Sequence, residues 1–168
     1  SLSPDRIALF GYAHVPWFKS RQRLIDAAAL PGLAERMAQA RAASDTLMQR
    51  GYIAIGLDHF ARTDDSLATA ARSGNLHRNF QGYTTDQADA LLGFGVSSIG
   101  KLPQGYVQNA ADIGNYERAI NDGRFAITRG LALTDDDRLR ARIIEELMCN
   151  LAVDLDRMVA QSGLAADT

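Results

Sequence analysis

Apolar and polar positions alternate at the start of the chain. In DRIALFGYAHVP, Ile7 and Leu9 fall in phase with Gly11, which predicts a short strand ended by Pro16. The period then changes. In PGLAERMAQARAASDTLMQRG, Leu33, Met37, Ala40, Leu47 and Met48 share one face at helical spacing, with Pro31 near the first turn and Gly51 just past the end. YIAIG follows as a short buried strand that runs into Leu57-Asp58-His59-Phe60. Strand, helix, strand is the order of a parallel βαβ unit. The loops that follow strand C-termini in such units carry ligands, and YAHVP and LDHFA would occupy those places.

Further along, TDDSLATAARSG predicts a short helix with Thr63 or Asp64 as N-cap and Gly74 at its end. ALLGFGVSSIG is an apolar segment whose Gly93 and Gly95 allow close approach of a backbone or a ligand. NAADIGNYERAINDG reads as helical and FAITRGLAL as extended. TDDDRLRARIIEELMCNLAVDL is the clearest helix: Thr134 caps it, acids fill its first turn, and Leu139, Ile143, Leu147 and Leu151 are expected to face inward. Composition shifts from mixed to helical near Gly130, which divides the chain into residues 1–129 and 130–168. No internal repeat or low-complexity tract interrupts it. A parallel strand needs neighbours, and the predicted strands are too few for a closed barrel or a wide sheet. The chain is therefore expected to be a piece of a larger protein.

The 168 residues are 46 % hydrophobic and 23 % charged, with a formal net charge of -2, which is enough apolar material for a core. That balance argues against a dedicated nucleic-acid binder, which would carry a strong basic excess. No apolar run reaches the roughly 18 residues of a membrane span, and no export leader is evident. Cys149 is the one cysteine. It excludes an internal disulfide and any site needing several thiolates from this chain, and it fits a cytoplasmic location.

Candidate chemistry concentrates between Leu57 and Thr85, which holds His59 and His77, three acids, three arginines and Phe80-Gln81. His14, His59 and His77 lack the i, i+4 spacing of a zinc-binding helix, so each reads first as a structural histidine. Asp58 could orient His59 or cap a turn. GFGVSSIG has neither the lysine of a P-loop nor the dinucleotide glycine spacing, and a tight strand-to-loop turn is its simplest reading. Ser44, Ser66, Ser97 and Ser98 lie outside any G-x-S-x-G elbow. Cys149 reads as a small buried hydrophobe. Arg62, Arg72 and Arg78 could fork onto carboxylates or form a solvated face.

FGYAHVPWFKSRQRLIDAAALP, GYIAIGLDHFARTDDSLATAARSGNLHRNFQGYTT, LLGFGVSSIG and GLALTDDDRLRARIIEELMCNL together resemble the oxygen-independent coproporphyrinogen III oxidases (coproporphyrinogen dehydrogenases). These are radical S-adenosylmethionine enzymes. The resemblance spans nearly the whole chain, and the DHFAR.DD and L.RNFQGYTT segments are its most specific parts. It implies an α/β fold: the C-terminal part of a partial (β/α)6 barrel followed by the start of a mostly helical domain. The reaction it implies converts two propionates of coproporphyrinogen III to vinyls, giving protoporphyrinogen IX. A [4Fe–4S] cluster cleaves S-adenosylmethionine to a 5′-deoxyadenosyl radical that abstracts hydrogen from the propionate; the electron donor is unknown. The family's cluster-binding CxxxCxxC motif is absent here, so the cluster ligands are expected outside this chain and the isolated piece is expected to be inactive.

By the resemblance, Ala13 in YAHVP and Ile99 in VSSIG occupy positions that contact S-adenosylmethionine, largely through backbone, with glycines around Ile99 admitting the ligand. Phe80 and Gln81 in HRNFQGYTT occupy positions beside paired cofactors, where an aromatic face and an amide suit a flat polar group. On charge alone, His59, Arg62, His77 and Arg78 are added as candidate partners of substrate carboxylates. Two other classes of function remain open: a noncatalytic tetrapyrrole- or haem-binding domain, and a metal-dependent hydrolase using Asp58, His59 and His77.

Overall fold

The computed structural model describes residues 2–162. Arg6–Ala8 (β1) pairs with His59–Arg62 (β3), and Tyr52–Ile55 (β2) pairs with the other edge of β3, giving a sheet ordered β1-β3-β2. Both pairings are antiparallel, with Ile7 opposite Phe60 and Ala54 opposite Phe60 across the two ladders. The expected parallel βαβ unit is thus corrected. β1 and β2 run the same way, but β3 lies between them, because the chain reverses at Gly56-Leu57-Asp58. Gly56 has φ 57, a left-handed conformation that glycine adopts without steric cost. LDHFA is therefore the turn and second arm of a β-hairpin rather than a loop beyond a parallel strand.

β1 is shorter than the alternation suggested, although Leu9 stays in phase and donates its N–H to the Asp58 carbonyl at 2.8 Å. Two short 3-10 turns, Ser20–Leu24 and Ala27–Ala29, follow. The first helix, Leu33–Gln49 (α1), begins where the Gly32 N–H donates to Glu35 Oε2 at 3.0 Å. Its predicted apolar face is real in spacing yet mostly exposed, with Leu33 78 % accessible and Met37 and Met48 about half so. Ser66–Ser73 (α2) is capped by Asp65, one residue later than expected, whose carboxylate accepts the Leu67 N–H at 2.7 Å. Gly74 ends it in the left-handed conformation, as expected. Ile55, Phe60, Ala61, Leu67, Ala68 and Leu76 form the core of this first compact unit, Ser1–Leu76.

The second unit, His77–Thr168, opens with the hairpin His77–Asn79 (β4) and Gly82–Thr84 (β5), whose two-residue tip is Phe80-Gln81. Ile99–Leu102 (β6), Gly105–Asn109 (β7) and Ile127–Ala132 (β8) make an antiparallel sheet in that order. Ile113–Asn121 (α3) separates β7 from β8, and Asp112 caps it. Gly130, the expected boundary, lies within β8.

Asp135–Asn150 (α4) carries the predicted Thr134 capping box: Thr134 Oγ1 accepts the Asp137 N–H at 3.1 Å, and Asp137 accepts the Thr134 N–H at 3.0 Å. The helix stops earlier than predicted, at Leu151 (φ 57), and Leu155–Ser162 (α5) follows. Leu139 and Ile143 are half-buried, but Leu147 and Leu151 are exposed. Residues four apart drift about 40° per step around an α-helix, so that stripe rotates off the covered face. Cys149 is the buried residue of α4, as its apolar setting suggested. Among the described residues, no helix is long and apolar enough to cross a membrane.

Candidate functional site

Side chains two apart on a strand share a face, and directly opposed residues in an antiparallel ladder share it too. In β6, β7 and β8 the register sets Ile99 opposite Gln108, Gln108 opposite Arg129, and Tyr106 opposite Leu131. These five residues therefore lie on one face of the sheet. Phe80, at the β4–β5 tip, stands over that face with its ring edge-on to Tyr106, centroids 5.3 Å apart and planes at 82°. Together they line a groove of about 240 Å³. An aromatic pair, aliphatic walls, an amide and a guanidinium can hold a ligand that is flat and apolar on one side and charged on another.

The segment before β6 is held by Asn109. Its Nδ2 donates to the carbonyls of Gly93 (3.2 Å) and Gly95 (3.0 Å) and lies 3.0 Å from Ser98 Oγ. The Tyr116 hydroxyl accepts the Gly95 N–H at 3.2 Å. Leu91 exchanges both backbone hydrogen bonds with Lys101, at 2.7 and 2.8 Å. Residues two apart on a strand direct their backbone groups to the same side, so the Ile99 N–H and C=O open toward this segment while its side chain faces the groove. Gly93 lies against them: a Cβ there would come within 2.9 Å of Ile99 C and O. The glycine at 93 is thus required by a backbone-to-backbone approach. Of the two approaches these glycines were expected to admit, a backbone or a ligand, Gly93 admits a backbone.

Gln81 sits at the same hairpin tip as Phe80, exposed, with its N–H donated to Asn79 Oδ1 at 2.8 Å. Ala13 lies in the first unit, in the loop after β1, where its carbonyl accepts Gln22 Nε2 at 3.1 Å. Gln22 also receives the Val15 N–H on Oε1, so one amide side chain fixes the YAHVP loop from both sides.

The charged candidates have protein partners. His59 is on β3 rather than in a loop, with Nδ1 2.6 Å from Asp58 Oδ1 and its ring edge-on to Phe10. Asp58 therefore orients His59, one of the two roles considered for it. Arg62 Nε is 4.0 Å from Asp64 in an exposed pair. His77 Nδ1 is 3.1 Å from Glu145 Oε1, which also accepts the Arg78 N–H at 3.3 Å. The Arg78 guanidinium stacks 4.7 Å over the Tyr83 ring, and the Tyr83 hydroxyl donates to the Met148 carbonyl at 2.8 Å. These contacts fasten the β4–β5 hairpin to α4 and so position Phe80. Among the described residues, no three His, Cys, Asp or Glu side chains converge as metal ligands.

Sequence reasoning missed Tyr106, Gln108, Arg129, Leu131 and Asn109. Alternation in GYVQN and ITRGLA, joined to the Pro103-Gln104 turn signal, could have put the first four on one face. Nothing local in the sequence marks Asn109 as the hub of the 93–98 segment.

No family model matches the chain. It is 56 % identical over 162 residues to the oxygen-independent coproporphyrinogen III oxidase of Bradyrhizobium diazoefficiens, covering 96 % of this chain and 36 % of that protein. With the anaerobic coproporphyrinogen III oxidase 1 of Cereibacter sphaeroides the identity is 49 %, over all of this chain and 37 % of the relative. The solved structure of the Escherichia coli coproporphyrinogen III oxidase, described as a radical SAM enzyme, superposes with a TM-score of 0.88 at 42 % identity, over 96 % of this chain and 37 % of that one. The chain thus spans a little over a third of the length of these relatives and shares the α/β fold of the matching third. Along essentially its whole length, this chain resembles one stretch of the oxygen-independent coproporphyrinogen III oxidases.

Proposed function

We propose that this chain is part of an oxidoreductase of haem biosynthesis, one that oxidatively decarboxylates two propionates of coproporphyrinogen III to give protoporphyrinogen IX without oxygen. The observation that carries the reading is the unbroken match to such enzymes, at 42 % to 56 % identity over at least 96 % of the chain. Supporting it, Phe80 and Ile99, which lie in separate elements, line one groove.

The groove fits S-adenosylmethionine. Phe80 and Tyr106 offer aromatic surface to an adenine ring, Ile99 and Leu131 flank it, and Gln81 stands beside Phe80. Ala13, in the first unit, is a cofactor-contacting position on the resemblance alone. Bound in the groove, the cofactor would supply the radical chemistry of the reaction; the work of the groove residues is to orient it and exclude water. The chain does not fit an iron–sulfur cluster, which takes several thiolates. Cys149 is a single thiol, and burial together with Glu145 pushes it up to about 11, so it stays protonated near neutral pH. The cluster ligands of the complete enzyme would come from outside these 168 residues.

A chimera tests the proposal. This chain replaces the matching stretch of the full-length Bradyrhizobium enzyme, and anaerobic conversion of coproporphyrinogen III is followed by product fluorescence after oxidation. Activity within about tenfold of the parent is expected, since interchangeable 56 % identical segments keep their site geometry. A folded chimera that retains its cluster but has no turnover would refute the assignment, and tetrapyrrole binding without turnover would favour a noncatalytic binder.

A further inference from the structure

The groove has a charged end that neither the resemblance nor the comparisons assign. Arg129 is on β8, opposite Gln108 in register and on the face shared with Ile99, Tyr106 and Phe80. Some arginines are matched to acids, as Arg124 is to Asp122 at 2.8 Å and Arg140 to Asp136 at 2.6 Å, and others, such as Arg41 and Arg50, are exposed on helix α1 or at its end; Arg129 differs from both in lining a groove. The Arg129 guanidinium makes no ion pair or hydrogen bond with another described residue. Gln108, beside it, is held in place by donating Nε2 to the Ser97 carbonyl at 3.1 Å, which leaves a second N–H on that nitrogen. A fixed amide next to a guanidinium fork with open donors is complementary to a carboxylate. The aromatic pair at the other end of the groove is complementary to a flat apolar body.

We propose that Arg129, assisted by Gln108, anchors a carboxylate of the ligand whose flat part lies against Phe80 and Tyr106. The inference rests on the groove being a ligand site, as in the proposed function, and adds the group that fixes ligand direction. Two ligands supply this chemistry, the methionyl carboxylate of S-adenosylmethionine and a propionate of the tetrapyrrole. Arg129 is therefore a binding and orienting residue.

Each source has a carboxylate-free counterpart, so the test uses two pairs of probes on this chain. The first pair is S-adenosylmethionine and its decarboxylated form, titrated by calorimetry. The second is coproporphyrin III and its tetramethyl ester, titrated by fluorescence. Arg129→Gln should weaken the carboxylate-bearing member of one pair roughly 10- to 100-fold, the scale of a lost charged hydrogen bond, and leave its counterpart unchanged. Arg129→Lys should recover part of the loss. The pair that responds identifies the source.

Equal effects on both members of a pair, no effect on either pair, or no binding of either carboxylate ligand by the unaltered chain would overturn the proposal. Phe80→Ala separates the two levels of the argument. If it weakens both members of a pair while Arg129→Gln is silent, the groove stands and the carboxylate role falls. If both variants are silent, the groove reading falls as well. Arg129 is exposed on an edge strand, so its variants should fold, and circular dichroism checks this.

Discussion

Gly93→Ala isolates the contact that places Ile99. Gly93 does not have the positive φ of Gly95, so alanine is acceptable to its backbone. The obstacle is space. The added Cβ would meet Ile99 C and O at 2.9 Å and Ile99 N at 3.1 Å, whereas carbon atoms in good contact sit about 3.5–4.0 Å apart. The opposing atoms belong to backbone, which cannot rotate away, so the two segments must part by about half an ångström. Overpacking of this kind costs about 1–3 kcal/mol, offset by the roughly 0.4–1 kcal/mol that alanine gains over glycine through the unfolded chain. A net loss of about 0.5–2 kcal/mol corresponds to a Tm lowered by roughly 1–8 °C for a chain of this size.

Gly130→Ala is the control. Its Cβ would meet the Tyr106 carbonyl oxygen at an ordinary 3.5 Å, and its φ is not positive. Only the unfolded-state gain remains, so Tm should be unchanged or slightly higher. Thermal unfolding followed by circular dichroism reads both variants. If the two shift Tm in the same direction by similar amounts, or if Gly93→Ala is the more stable, the close approach at Ile99 is not what glycine at 93 provides.

Two other predictions concern titratable groups. Burial raises the Asp65 carboxyl, but its hydrogen bonds from Arg6 and the Leu67 N–H, with the Arg6 charge, outweigh this and hold it below the ordinary 3.8. Its contribution should be complete above that pH and lost as pH falls below it; Asp65→Ala should cost about 1–2 kcal/mol at pH 7 through loss of the α2 cap, read as a lower urea midpoint, and an unchanged midpoint would dismiss the cap. The Cys149 thiol, raised from 9.0 to about 11, should react slowly with a disulfide reagent at pH 8 in the folded chain and rapidly in denaturant. Because the folded value lies above the unfolded one, stability should also fall as pH rises from about 9 to 11, by more than in Cys149→Ala; equal alkaline loss in both proteins would contradict this.

Local signals determined where most helices lie. Thr134 with three acids behind it, Gly74 after an apolar stripe, and Pro31 with Gly51 all mark ends by hydrogen bonding and backbone preference within a few residues. Segment similarity identified the relatives, and a single cysteine was enough to show that these 168 residues alone cannot supply the several thiolates of an iron–sulfur cluster. What local reading could not supply was pairing. β1, α1 and β2 have the period of a parallel unit, but the reversal at Gly56 put β3 between the strands. A period states which residues share a face; it does not state whether the face is covered, so Leu33 and Met37 stay exposed on a regular helix. Nor could it place the α2 cap: the local pattern offered Thr63 or Asp64, whereas Asp65 caps the helix and is held there by Arg6, 59 positions earlier. The groove is the same case: the resemblance singled out Phe80 and Ile99, but only the register of β6, β7 and β8 sets Tyr106, Gln108 and Arg129 beside them. Contacts between residues distant in sequence depend on strand order and register, which tertiary packing alone decides.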